Sequence, residues 1–319
     1  MMKKISKLLR RQETIILGFC LLMFMAFSFF SENFFTLTNI RLIIQQYAVN
    51  GICVLGVSLV VLLGGIDLSA GSILAVAGSV GGTLVNLGWN PVLSILVAVL
   101  VGAMLGFCNS LIVTKLGVPP IITTMATNYV YRGILVLITG GFWVNSFPKR
   151  FSQIATGRIL GLSNVFWMAM ALLVLMSFVL HQMNLGRKLY AVGSNAPAAS
   201  KSGISVTCIT MFGYTACGAL LGFASMMYAG LYGAISTSGT GATLGTTVLA
   251  AALAGGVNFG ARGTLVGASI GMFMISIINN GLIQMKVDEY WVDAITGAII
   301  LIALTLNTVT ARQKLRMGE

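Results

Sequence analysis

Charge is the scarcest property of this sequence. Of 319 residues only 8% are charged while 57% are apolar, against roughly 25% charged in an ordinary soluble domain, and the mean hydropathy is +0.95. A soluble globular domain is thereby excluded. The single histidine, His181, ends an apolar run with no second histidine or carboxylate beside it, which argues against a histidine-built metal site or proton relay. The five cysteines, Cys20, Cys53, Cys108, Cys208 and Cys217, are odd in number and lack metal-ligand spacing. All lie in apolar runs and read as small core residues. "SGTGATLG", residues 238–245, has the glycines of a phosphate loop, but no G-K-[ST] occurs anywhere, so no ATP-splitting site is expected in this chain. The clustered acid, base or metal set of a membrane-embedded enzyme is missing as well.

What the chain does have is apolar length. A bilayer core of about 30 Å takes about 20 apolar residues per helix, and such runs recur along the chain. They predict an all-α, polytopic membrane protein with about ten spans, near 14–30, 40–64, 69–88, 92–114, 119–139, 162–181, 206–230, 245–258, 264–284 and 291–308. Residues 1–319 form a single transmembrane domain on this reading. The basic start and long apolar run to Phe30 lack a clear small-x-small cleavage site, so this segment reads as a retained first span. The net charge of +12 is spread over loops and ends rather than gathered on one face, which points to membrane lipid and away from nucleic acid. With the N-terminus inside, the inner side carries thirteen basic residues and the outer side five, Arg132 lying within a span. The bias predicts that both termini, 1–13 and about 309–319, and the loop at about 182–205 are cytoplasmic.

Four stretches are candidates for function. "VLLGGIDLSAGSILAVAG", residues 61–78, places Asp67 between two apolar runs, and a carboxylate near membrane depth is costly. Gly64 and Gly65 can end one helix, and Asp67 or Ser69 can cap the next; the alternative is a part in gating at that break. "GGIDLSAGSIL" at 64–74 is echoed by "GGVNFGARGTL" at 255–265, pairing Asp67 with Asn258 and the first two glycines with Gly255 and Gly256, as in transporters with internal repeats. In the long basic interruption at 181–206, "SNAPAASKSG" predicts a short helix, capped by Ser194 or Asn195, with Pro197 in its first turn and Gly203 as its stop. That helix is either a docking element or a solvated loop. In the span at 264–284, Asn279 and Asn280 are either interhelical glue or the lining of a solute path. The outer loop at 140–161 mixes aromatics with Lys149, Arg150 and Arg158. It reads as interfacial anchoring, with a landing surface for an outside partner as the alternative.

Taken together, "GGIDLSAGS" at 64–72, "LGRKLYAVGSNAPAASKSGI" at 185–204, and "AALAGGVNFGARGTLVGASIG" with "NNGL" between 251 and 282 resemble the permease subunit of bacterial ATP-binding-cassette sugar importers. These belong to the ribose and branched-chain amino-acid permease superfamily. The resemblance implies the type II importer fold in the bacterial cytoplasmic (inner) membrane. It implies a second permease, identical or a paralogue, and a periplasmic or surface-tethered sugar-binding protein. A cytoplasmic ATPase subunit would carry the ATP and magnesium that this chain does not bind. The family's ATPase-contacting segment matches Asn195, Ala196, Pro197, Ala198, Ala199, Ser200, Lys201, Ser202 and Gly203. Relatives often place a glutamate where Ala196 stands, so contact here is expected to rest on shape and on Lys201. "YRGILVLITGGFWV", 131–144, is similar to permeases for monosaccharides and furanose-like signals; an amino acid or nucleoside, or an ion-coupled carrier, is the competing expectation.

Overall fold

The structure is a computed structural model that describes residues 12–288 together with 291, 292, 294, 295, 297 and 298. Apart from those last six positions, the expected span at 291–308 lies outside the described residues, as do residues 1–11 and the tail at 309–319.

Twelve helices are described, in the order α1 (Gln12–Phe30), α2 (Leu37–Leu62), α3 (Ala70–Asn86), α4 (Pro91–Lys115), α5 (Pro120–Thr139), α6 (Lys149–Thr156), α7 (Asn164–Gln182), α8 (Asn184–Ser194), α9 (Ala196–Lys201), α10 (Val206–Tyr232), α11 (Leu244–Ala254) and α12 (Leu265–Gln284). Among them α2, α4, α5, α7, α10 and α12 are long and apolar enough to cross a membrane. Four two-residue strands complete the set: β1 (Val144–Asn145), β2 (Arg158–Ile159), β3 (Leu162–Ser163) and β4 (Ala234–Ile235). β2 and β3 form a hairpin, whereas β1 pairs antiparallel with β4 and ties the connection after α5 to the end of α10.

Helix α2 is the axis of the bundle. Every residue from Gly51 to Leu62 is buried, as expected of a helix apolar on all sides, and it is enclosed by α7, α10, α11 and α12. The most extensive pairing joins α4 to α10, and glycine explains it. A Cβ on Gly102 would fall on the carbonyl oxygen of Gly218, one on Gly106 on that of Tyr214, and one on Gly222 on that of Ala98. Glycines four apart on each helix thus bring two backbones into contact, which is how helices associate where lipid supplies no hydrophobic drive. The outward faces of α4, α5 and α7 stay apolar and exposed, with Leu100, Leu137 and Phe178 among them.

Two sequence expectations are corrected here. The span read at 245–258 is the eleven-residue α11, about 16 Å long at 1.5 Å per residue and too short to cross; the glycine-rich residues before it remain irregular. The stretch at 140–161 is not an anchoring loop throughout. It contains α6, whose Phe151 is buried and stacks edge-on with Phe147 at 5.3 Å, while Phe142 and Trp143 alone of its aromatics stay exposed.

Candidate functional site

The first feature is the break between α2 and α3. The Gly65 amide donates to Val60 O and the Gly64 amide to Val61 O, both at 2.9 Å, and Gly64 sits at φ +85°, a left-handed turn that a side chain would oppose. The chain then re-enters the bundle, and Thr124 Oγ1 of α5 donates to Ile66 O at 3.0 Å. Asp67 follows, fully buried. Its Oδ1 accepts from the Ser69 amide at 2.9 Å and the Ser69 hydroxyl at 2.6 Å. Ser69 Oγ accepts from Asn109 Nδ2 of α4 at 2.8 Å, and Asn109 Oδ1 accepts from the Tyr131 hydroxyl of α5 at 2.8 Å. Asp67 Oδ2 faces the Cys217 thiol of α10 at 3.8 Å. Cys217 lies eleven residues beyond Val206, where α10 begins, so Asp67 sits about 16 Å in from that end, half of a bilayer core.

Asp67 therefore does not cap α3 in the manner expected. The helix starts after Ser69, whose side chain makes no cap bond; the carboxylate instead closes the turn that leads into it and terminates a chain of donors from two other helices. It is the only acidic residue between Glu32 and Asp288, and among the described residues no basic side chain is paired with it.

A second break faces the first. Residues 236–243 run irregularly into α11, and Arg132 of α5 holds them by donating to Thr237 O at 3.0 Å and Thr240 O at 2.9 Å. Arg132, which the sequence placed within a span, clamps this irregular backbone, giving two buried carbonyls a donor. A Cβ on Gly241 would strike Gly71 O at 2.5 Å, and one on Gly245 would meet Leu68 O at 2.7 Å. The starts of α3 and α11 thus touch inside the bundle. From there α3 runs to the end bearing α6, where Asn86 Nδ2 donates to Asn145 O at 2.8 Å, and α11 runs to the end bearing α8 and α9.

This opposed pair is not the echo seen in the sequence. Gly256 (φ +90°) ends α11 on the same turn that Gly64 makes after α2, with Gly256 N donating to Leu253 O at 3.0 Å and Val257 N to Ala252 O at 2.9 Å. The two turns are offset by one residue from the sequence pairing, so Gly255 matches Leu63. Asn258 is only half-buried, and its backbone pairs with Arg262. It is no counterpart of Asp67.

The third feature is the α8–α9 segment. Asn195 Oδ1 caps α9 by accepting from the Ala198 amide at 3.0 Å, Pro197 stands in the first turn, and Gly203 leaves at φ +80°. Ala199 is buried and anchors the helix; Pro197, Ala198, Ser200, Lys201, Ser202 and Gly203 are exposed, and Ala196 is half-buried. The sequence expected only α9 here, but α8 precedes it and makes the contacts that matter. A Cβ on Gly193 would fall on Leu62 O, one residue before the α2 turn, and lie 3.1 Å from Ala261 Cβ. The Tyr190 hydroxyl donates to Gly263 O at 3.1 Å, and burial raises the Tyr190 phenol above its ordinary pKa, keeping it a donor. Helix α8 thus touches the end of α2 at the first glycine turn and the connection that follows the second. Thr264 fixes the far side of the second connection, accepting from Gly267 N at 3.0 Å and donating to Glu13 Oε1 at 2.6 Å.

The two asparagines of α12 part company. Asn280 is buried and bonds reciprocally with Asn39, at 2.8 and 3.0 Å, while Gln284 Nε2 adds a third bond to Asn39 Oδ1 at 2.7 Å. Asn280 thus joins α12 to α2 as interhelical glue, the first of the two readings that the sequence offered. Asn279, about 100° round the helix, lines a cavity beside α2 and α10. Asn109, Tyr131, Asn39 and Tyr190 belong to these sites without having been singled out; a polar residue inside each apolar run was the available signal.

Comparison with known proteins agrees with this architecture. A family model described as "Branched-chain amino acid transport system / permease component" matches residues 39–304. The Autoinducer 2 import system permease protein LsrC of Yersinia pseudotuberculosis serotype O:1b (strain IP 31758) is 31% identical over 298 residues, 93% of this chain and 84% of that protein. The protein of the same description from Photorhabdus luminescens is 31% identical over 288 residues, 90% of this chain and 87% of its own. No solved structure gives a significant match. Broken helices meeting inside a polytopic bundle, and a family match over most of its length, place this chain in the branched-chain amino acid transport system permease family, as a membrane permease subunit of an ATP-binding-cassette importer.

Proposed function

We propose that this permease moves a small monosaccharide-like solute, a pentose, hexose or furanose-like signal, and that a separate ATPase drives it through α9. The observation that carries the reading is α9 itself. It is a capped helix held by one buried residue, Ala199, with its remaining surface largely exposed, mounted on a helix that touches the first glycine turn and the connection after the second. The basic bias supports the reading that this end, with both termini, faces the cytoplasm of a bacterial cell. ATP and magnesium then belong to the ATPase, a second permease copy or paralogue completes the path, and a sugar-binding protein delivers solute at the α6 end. The relatives are import system permease proteins for autoinducer 2, which supports a sugar-like cargo. The family's own description names amino acids and supplies the second reading.

In this mechanism, closure of the ATPases displaces α9, and α8 moves with it. The turns at Gly64–Gly65 and Gly255–Gly256 follow, because Gly193 bears on the backbone at Leu62 and Tyr190 holds the carbonyl of Gly263. Deleting 195–203 is expected to leave insertion intact and to lower ATP-driven uptake about tenfold or more, within the usual span of coupling energies between sites. Unchanged uptake, or uptake that needs no ATPase and collapses with an uncoupler, refutes the reading. Tyr190→Phe is milder. Loss of one hydrogen bond, about 1 kcal/mol, is expected to raise the ATP hydrolysed per solute imported about two- to fivefold without lowering membrane abundance.

A further inference from the structure

The hairpin that joins α6 to α7 carries a residue its turn does not favour. Ile159 pairs with Leu162, so Leu160 and Gly161 form a two-residue turn, and both have positive φ, +52° and +80°, as the type I′ hairpin turn requires. Asparagine or aspartate before glycine suits that turn, whereas a leucine in the left-handed region is strained. Leu160 is also 87% exposed, and Ile159 beside it 55%. The turn thus gives up local fit and holds two apolar side chains outward. The hairpin is nonetheless fixed in place. The Asn164 amide donates to Gly157 O at 2.7 Å, Asn164 Nδ2 to Ile154 O at 3.2 Å, and Trp167 Nε1 to Ile159 O at 3.0 Å.

The neighbours of the tip indicate what it meets. Trp167, Val174 and Phe178 are exposed along α7 at spacings of seven and four residues, which is one face of a helix long and apolar enough to cross a membrane. The hairpin hangs on Trp167 at the α6 end of that face, the level at which tryptophan marks the boundary between acyl chains and headgroups. Helix α2 contributes Leu42, exposed, and Arg41, half-buried, and Arg41 Nη2 comes within 3.7 Å of a Cβ built on Gly161. Arg158, exposed on β2, adds a second positive charge to the hairpin. An apolar tip with a guanidinium at its shoulder matches a phospholipid: acyl chains cover Ile159 and Leu160, and the guanidinium pairs with the phosphate. We propose that the β2–β3 hairpin and Arg41 form a site for an anionic phospholipid of the phosphatidylglycerol class, in the leaflet at the α6 end. A zwitterionic lipid competes poorly, because its own ammonium offsets the phosphate charge that draws the arginines. Lipid seated here ties the start of α2, the axis of the bundle, to the start of α7. The proposal depends neither on the cargo nor on the source of energy.

The test uses the full-length chain in lipid nanodiscs, in a Cys208→Ser background because Cys208 is the exposed native thiol. Leu160→Cys carries an environment-sensitive fluorophore at the tip, and Ile159→Cys takes its place should the first variant not elute as a single species. Bromine on the acyl chains of a minor lipid quenches the fluorophore when that lipid is adjacent. Quenching by brominated phosphatidylglycerol is expected to exceed that by an equal fraction of brominated phosphatidylcholine about threefold or more, within the factor of about five that one arginine near a charged surface supplies. Arg41→Gln combined with Arg158→Gln is expected to bring the two lipids to equality, and inorganic phosphate in large excess to leave the wild-type difference unchanged. Four results overturn the proposal: no quenching by either lipid, equal quenching with both arginines present, a difference that survives the double substitution, or one that inorganic phosphate removes. The last would make this a site for a free anion and not for a lipid headgroup.

Discussion

Gly218→Leu is expected to leave no folded permease in the membrane. At this position the α4 and α10 backbones touch, and even a Cβ would fall on the carbonyl oxygen of Gly102. One overpacked methylene in a close-packed interior costs about 1–3 kcal/mol, and leucine adds a whole branched side chain where relief requires separating two helices along their length. Gly102, Gly106 and Gly222 share the crossing, so the separation forfeits the most extensive contact in the bundle. The sum exceeds the roughly 5–15 kcal/mol of net stability on which folded proteins rest. Gly18→Leu is the matched control. Gly18 lies inside α1 with nothing within 4 Å of a built Cβ, and replacing it is expected to leave abundance unchanged, since glycine is the poorer helix former. Membrane abundance and size-exclusion profile in detergent measure both. A monodisperse Gly218→Leu protein at wild-type level would show that the α4–α10 crossing is not needed for assembly.

The sequence showed the outline of this fold better than its interior. Helices α2, α4, α5, α7, α10 and α12 stood out because lipid demands apolar length, and that demand is written residue by residue; the run at 69–88 read as a further span but is the seventeen-residue α3, which starts inside the bundle. The cap at Asn195, the first-turn proline and the stop at Gly203 were equally legible, because a helix terminus is a local event. Where the outcome depended on what lay across the bundle, the pattern was silent or misleading. "TTVLAAALAGG" reads as one more span, yet α11 fills half a membrane's thickness because Arg132, more than a hundred residues earlier, supports the irregular chain before it. The glycine echo at 64 and 255 was real as a turn, but the true opposition is between α3 and α11, which share no such motif. Asn279 and Asn280 were indistinguishable as letters. Only their positions around α12 separate a cavity wall from a residue bonded to Asn39.

Asp67 is where a substitution pair separates charge from hydrogen bonding. Asp67→Ala removes the acceptor of the Ser69 amide and hydroxyl. Both donors are then left in an interior that water does not reach, since Asp67 and Ser69 are each fully buried. An orphaned buried donor costs about 1–3 kcal/mol, so the pair is worth about 2–6 kcal/mol, a large share of the stability available. Slack in Ser69 also loosens Asn109 and Tyr131, which bond through it. Asp67→Ala is therefore expected to lose most of its membrane abundance and its uptake together. Asp67→Asn keeps an oxygen at the Oδ1 position and nearly the same shape. Its amide nitrogen takes the Oδ2 site beside the Cys217 sulfur at 3.8 Å, where its N–H groups find no strong acceptor, at a cost of about 1–3 kcal/mol that is offset by relief from holding a carboxylate away from water. With no basic side chain paired to Asp67 among the described residues, removing the charge breaks no ion pair. Asp67→Asn is expected to retain abundance and uptake within about twofold, the effect of a few tenths of a kcal/mol. Uptake lost in Asp67→Asn at normal abundance would mean that the carboxylate acts through its charge during transport, and the break between α2 and α3 would then be more than a hydrogen-bonded joint.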